Sequence, residues 1–331
     1  MGEKKTAVHA GNKGLTRYLL LFAVVVVSII FGILQPKFFS VRNWMNIVSS
    51  TSLVGIMAVG MTIVMSTNEM ELATGCEATI AAAVAGRLLL DGTFPSYILA
   101  VIIGLAVSVC VGLLNSFFVL KLSVPSFIET IAVTTLIDGF ISLATNNSYM
   151  FSNKWPSSYA FLGQTRVAGI IPVPAIIFVA IVIVMIFVMD HTKLGRYIGS
   201  VGANPTACTN VGINNKKIKM ICFLLCALLC GIDGILTSSQ VLSVSPTLGQ
   251  DVLMDAMAAT MMGATFLRVG RYNIQGTVVA ALLLTVIQNG ITSVGAPNFV
   301  EDIVTGTILI ISIGVIAMTR KEGLPSVTFN E

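Results

Sequence analysis

Charge is scarce in this sequence. Lys, Arg, Asp and Glu make up 10% of its 331 residues, well under the roughly one quarter usual in soluble globular chains, which excludes the solvated surface of a soluble domain. Histidine is scarcer still. The two present, His9 and His191, stand apart from any carboxylate cluster, so no imidazole acid–base pair is offered. No Gly-x-x-x-x-Gly-Lys-Ser/Thr stretch occurs, and the chain has no phosphate-cradling loop of its own. Six cysteines form no framework. Cys222, Cys226 and Cys230 recur at helical spacing in an apolar run, where cysteine behaves as a small hydrophobe and the helix lacks the polar or imidazole partners a metal wants. These absences predict a non-catalytic chain with no metal and no cofactor of its own.

What is there is apolar. Hydrophobic residues make up 55% of the chain and the mean hydropathy is +0.92, which points to an all-α integral membrane protein. A membrane-crossing helix needs about 20 mainly apolar residues. Windows of that kind fall near 17–35, 48–67, 72–90, 95–120, 126–145, 168–189, 218–239, 253–267, 274–295 and 302–319. About ten transmembrane helices and a single domain over 1–331 follow. The third and eighth windows are short or interrupted by polar residues and predict broken helices lining a cavity. The first run is too long for the apolar core of a secretion signal and lacks a small-x-small cleavage site before Pro36, so it reads as a retained span.

Basic residues orient the chain. With the N-terminus inside, only Lys37, Arg42, Arg87, Lys154 and Arg166 of the 19 Lys and Arg fall outside, as the positive-inside rule asks. Both termini are then cytoplasmic. The polar interval 146–167 lies outside. Phe38 to Met45, aromatic and polar by turns, is expected to lie along the interface with Trp44 at headgroup depth. The longest polar and basic interval, 190–217, lies inside. Within it Gly202-Ala203-Asn204-Pro205 breaks the chain and starts a short helix, with Asn204 as N-cap and Pro205 at the first helical position. Taken alone, this is equally a solvated loop with a capped turn.

The segment from Leu194-Gly195-Arg196-Tyr197 through Gly202-Ala203-Asn204-Pro205-Thr206-Ala207 to Gly212-Ile213 resembles the cytoplasmic loop of the ribose-type permeases, the membrane subunits of bacterial ABC importers. The runs Gly112 to Ser116 with Val124 to Thr130, and Gly231 to Leu236 through Ser245 to Gly249 and Leu253 to Ala259 to Gly263-Ala264-Thr265, resemble that family in residue type and spacing. The resemblance covers about Phe38 to Lys321. It implies a bundle like that of the type II ABC importer permeases, and a coupling helix on Gly202, Ala203, Asn204, Pro205, Ala207 and Gly212. It also implies partner ATPase subunits that bind ATP and Mg, a second permease, identical or merely similar, and an extracytoplasmic solute-binding protein. Lipid is the surrounding solvent, and nucleic acid has no part. The solute implied is a monosaccharide or similar small polar molecule, with a polyol, a nucleoside or a furanose-like signal as alternatives.

Glu71 and Gly75 match the aspartate and glycine that open a helix in the family, and a carboxylate there also has a purely capping role. Asn68-Glu69 replaces the family's two glycines, so the turn is expected to be built differently. Asp138 stands where the family usually has arginine, and Arg268 to Tyr272 replace a glycine-rich stretch, with contact to the ATPase or gating as their functional alternative. Gly60-Met61-Thr62 and Gly263-Ala264-Thr265 each close an apolar run, a hint of two related halves. Buried carboxylates need pairing, protonation or water, so Glu77, Glu129, Asp138, Asp233 and Asp255 should face the protein interior. Asn115, Glu129, Asp255, Gln288 and Asn289 are the candidates for a solute path, each with a helix-to-helix hydrogen bond as the plainer role. A rival of another class is an ion-coupled secondary transporter using the same carboxylates.

Overall fold

The structure, a computed structural model, describes residues 19–92, 96–152, 154–267 and 270–321. The basic segment up to Arg17, with His9, lies outside the described residues, as do Arg268 and Val269. Thirteen α-helices are described: α1 (Leu19–Leu34), α2 (Val41–Met65), α3 (Thr74–Leu90), α4 (Tyr97–Lys121), α5 (Ser126–Thr145), α6 (Ser157–Gln164), α7 (Val173–His191), α8 (Lys193–Ala203), α9 (Pro205–Asn210), α10 (Asn215–Val241), α11 (Gln250–Gly263), α12 (Ile274–Ser293) and α13 (Asn298–Lys321). Two-residue strands add little: β1 (Met150–Phe151) pairs antiparallel with β4 (Ser243–Val244), and β2 (Arg166–Val167) with β3 (Ile171–Pro172).

Each of the ten apolar windows coincides with one helix. Among the described residues, α2, α4, α5, α7, α10 and α12 are long and apolar enough to cross a membrane. The third and eighth windows are α3 and α11, of 17 and 14 residues, only about 21 to 26 Å at 1.5 Å per residue. Burial sorts the long helices: 83% of the apolar window of α2 is inside the protein, against 22% for α7. The core is therefore built around α2, α10 and α12, while α4, α5 and α7 present apolar faces outward, as a lipid solvent permits.

Helix ends follow local chemistry. Ser40 N-caps α2 by accepting from the Asn43 N–H at 3.3 Å, and Pro36–Phe39 forms a 3-10 turn before it. The segment Phe38 to Met45, expected to lie along a membrane interface, is therefore in part the start of α2. Phe38 is buried beside Trp44 and Ile47, and Val41 onward is the first turn of α2. Asn273 N-caps α12 by accepting from the Gly276 N–H at 2.7 Å, while its amide donates to the Gly263 and Phe266 carbonyls at 3.2 and 3.0 Å.

Packing relates two groups of four helices. Exchanging α2, α3, α4 and α5 for α10, α11, α12 and α13 maps the packed pairs onto one another: α2 on α12 corresponds to α10 on α4, α2 on α11 to α10 on α3, α3 on α4 to α11 on α12, and α3 on α5 to α11 on α13. The hint of two halves is supported, but on a different register. Gly60-Met61-Thr62 lies inside α2, which runs on to Met65, whereas Gly263 ends α11. In the packing α2 corresponds to α10, and α11 to α3. The two short helices meet at their N-termini. A Cβ built on Gly249 would stand 2.2 Å from the Gly75 carbonyl oxygen, and the Gly249 N–H donates to Thr79 Oγ1 at 2.8 Å.

Candidate functional site

The interval 190–217 is not a loop but two helices. Thr192 caps α8. Asn204 then ends α8 and N-caps α9, accepting from the Ala207 N–H at 2.9 Å, with Pro205 at the first position. Gly212 terminates α9 at φ +82°: its N–H donates to Thr209 O at 3.0 Å, and the Ile213 N–H donates to Cys208 O at 2.9 Å, the paired bonds of a Schellman stop. Asn215 on α10 holds the other end, its amide donating to Pro205 O at 2.7 Å and Thr209 Oγ1 at 3.0 Å. Ala203, Asn204, Pro205 and Ala207 are exposed, while Cys208 points inward. A six-residue helix, too short to persist alone, is thus fixed at both ends and offered to solvent.

Gly202 differs from its neighbours. A Cβ on it would stand 2.0 Å from the Ser66 carbonyl oxygen at the end of α2. Asn68 Nδ2 donates to Gly202 O at 2.6 Å, and Lys219 on α10 pairs with Glu69 at 2.5 Å. Asn68 itself takes φ +60°. It adopts the left-handed conformation that glycine favours and asparagine tolerates, so a positive φ is kept here without glycine.

From this turn the chain runs inward. The Met70 N–H donates to Ser126 Oγ at 3.0 Å and the Leu72 N–H to Thr130 Oγ1 at 3.3 Å, both on α5. Glu71, buried, accepts from the Ala73 N–H and from Asn115 Nδ2, each at 3.0 Å. The helix itself opens at Thr74, so Glu71 serves the residue that caps α3 rather than opening α3. Asn115 also reaches Glu77 at 3.5 Å, and buried Glu129 lies close enough to act on Glu71 electrostatically. A second polar group lies in the other half, where Gln288 on α12 and Thr305 on α13 stand close enough to Asp255 on α11 to act on its carboxyl group.

The five path candidates thus fall in separate polar groups. Asn115 and Glu129 belong to the α3–α4–α5 group and Asp255 and Gln288 to the α11–α12–α13 group. Asn289 exchanges side-chain bonds with Asn43 at 2.8 and 3.2 Å, the helix-to-helix role. Asp138 accepts from Gln250 Nε2 at 3.1 and 3.2 Å, tying α5 to the start of α11, and Asp233 is buried near Thr237. Sequence reasoning missed Glu77 as a neighbour of thiols. Its carboxylate and the sulfurs of Cys226 and Cys230 lie within 4.8 Å of one another, so the premise that the cysteine helix lacks polar company is corrected: α3 supplies it across the interface.

At the other end of α10, the interval 146–167 is anchored. Trp155 and Tyr159 stack at 5.3 Å, the Tyr159 hydroxyl meets Ser238 Oγ at 2.6 Å, and Gln164 Nε2 donates to Gln240 O at 3.0 Å. Burial pushes the Tyr159 phenol up, against the lowering effect of the Ser238 bond.

Comparison places this geometry. The family described as branched-chain amino acid transport system / permease component matches residues 43–313. The ribose import permease RbsC of Escherichia coli (strain K12) is 32% identical over 295 residues, 88% of this chain and 91% of that protein. RbsC of Bacillus subtilis (strain 168) is 29% identical over 89% of this chain and 90% of that protein. The xylose transport system permease XylH of Haemophilus influenzae (strain ATCC 51907 / DSM 11121 / KW20 / Rd) is 25% identical over 92% and 97%. No solved structure matches. With most of its length matched, the chain belongs to the permease components of the branched-chain amino acid transport family, as an integral membrane protein of the ribose-type ABC permeases.

Proposed function

We propose that this chain is the translocation subunit of an ATP-driven importer for a monosaccharide or similar small polar solute. It pairs with a second permease, docks two partner ATPase subunits that hold ATP and Mg, and receives solute from an extracytoplasmic binding protein. The relatives' names, ribose import and xylose transport, support the solute class. The observation that carries the reading is α9: a capped, exposed helix whose neighbour Gly202 is seated against the end of α2. ATPase movement acts on α9, passes through Gly202 to the helix turn beyond, and alters the packing of α3 and α11 where they meet. Ten segments traverse a bacterial inner membrane with both termini inside, α3 and α11 being short and continuous rather than broken as expected, and the anchored 146–167 interval is the platform for the binding protein.

The test is uptake by the chain reconstituted in vesicles with its ATPase and binding protein. Wild type takes up solute only with ATP. Ala207→Glu, on the exposed face, leaves the protein in the membrane and ATP hydrolysis running but lowers uptake per ATP about tenfold. Gly202 is unsuited to this test, because any side chain there collides with Ser66. Unimpaired uptake in Ala207→Glu, or ATP-indifferent uptake by the chain alone, would sink the reading.

A further inference from the structure

We propose that Asn68, Glu69 and Lys219 form a strap that positions the start of α3 by tying it to the end of α8 and to the start of α10, the two elements that hold α9, so that movement of α9 reaches Glu71. The inference rests on the importer reading above and adds the residues that transmit its motion.

Three ties converge on one turn. Gly202 is in close backbone approach to Ser66, Asn68 Nδ2 bonds Gly202 O at 2.6 Å, and Glu69 meets Lys219 at 2.5 Å. The first two fix the turn to α8 and the third to α10. The ion pair is mostly enclosed, with its side chains 20% and 15% exposed, so salt screens it less than a surface pair, and removing either partner strands a charge. Two glycines at positions 68 and 69, as the family resemblance has them, would supply none of these side-chain bonds.

Beyond the strap the chain has little slack. The N–H groups of Met70, Leu72 and Ala73 are taken up by Ser126, Thr130 and Glu71, and Glu71 is bonded to Asn115. A shift of α8 at Gly202 is thus carried to a buried carboxylate at the head of α3, where α3 faces α11. Asn68, Glu69 and Lys219 are positioning residues. They touch no solute and act through the segment they hold.

The experiment uses the reconstituted complex and reads solute taken up per ATP hydrolysed. Glu69→Lys and Lys219→Glu each lower that ratio about fivefold or more, the low end for coupled sites, and the double exchange restores it to within about twofold of wild type. Hydrogen–deuterium exchange over residues 66–73 of the complete chain is measured alongside, with the milder Glu69→Gln and Lys219→Met. Both speed exchange there. Unchanged exchange overturns the strap, and so does faster exchange with an unaltered uptake ratio, because the contact is then only a local brace. A wild-type complex without ATP-driven uptake overturns the importer reading instead, while the exchange arm still reports whether the strap holds.

Discussion

Asn204, Pro205 and Gly212 are the residues whose sequence and structure agree most closely, because a cap and a stop depend on near neighbours alone. Asn204 needs only the Ala207 N–H three residues on, and Gly212 only a positive φ. Gly234 is the opposite case. It lies in α10, and a Cβ there would stand 1.9 Å from the Ala78 carbonyl oxygen on α3, a demand set by a residue 156 positions away. Overpacking of this kind costs about 1 to 3 kcal/mol, so Gly234→Ala is expected to lower the thermal midpoint of the purified protein by several degrees, whereas Gly199→Ala, inside α8 and meeting nothing within 4 Å, does not lower it and gains helix propensity instead. A midpoint for Gly234→Ala equal to wild type would show that α3 and α10 are not in backbone contact. The polar groups were illegible for the same reason. Nothing near Cys226 in sequence announces Glu77, and nothing near Asp255 announces Thr305.

At the scale of elements, hydropathy found the ten helices and misplaced some ends. The window for α2 began near 48, because the preceding turns carry Arg42, Asn43 and Asn46, yet the helix starts at Val41, where Ser40 caps it. Apolar windows sense the lipid-thick part of a helix, and caps decide its ends. Between elements, hydroxyls replace the missing hydrophobic drive. Thr62 and Thr277 join α2 to α12 at 2.7 Å, and Thr260 on α11 donates to Ala58 O on α2 at 3.0 Å. Interhelical bonds of this sort average about 0.6 kcal/mol in double-mutant cycles. A Thr62→Val, Thr277→Val cycle read by unfolding in detergent should give a coupling near that size. A coupling indistinguishable from zero would mean that the two helices associate by packing alone.

At the scale of the whole molecule, α10 is the yardstick. Its 27 residues span about 40 Å, more than the roughly 30 Å hydrocarbon core of a bilayer. The α8–α9 segment is fixed at its first turn through Asn215, and the 146–167 interval is fixed at its last turns through Ser238, Ser239 and Gln240. Two polar surfaces held at opposite ends of one membrane-length apolar rod have to face opposite compartments. The repeat was legible only as a hint because its halves are matched by helix packing, α2 with α10 and α3 with α11, while short Gly-and-Thr motifs recur at any helix end. The proposed orientation rests on a separate signal, the excess of Lys and Arg on the α9 side. With Cys110, the one exposed cysteine, replaced by alanine, Ala207→Cys is expected to react with a membrane-impermeant maleimide only in inside-out vesicles, and Lys154→Cys only in right-side-out ones. Labelling of both from one face would break the rod argument. Labelling from opposite faces but reversed would keep the rod, place α9 outside, and remove any ATPase from its reach.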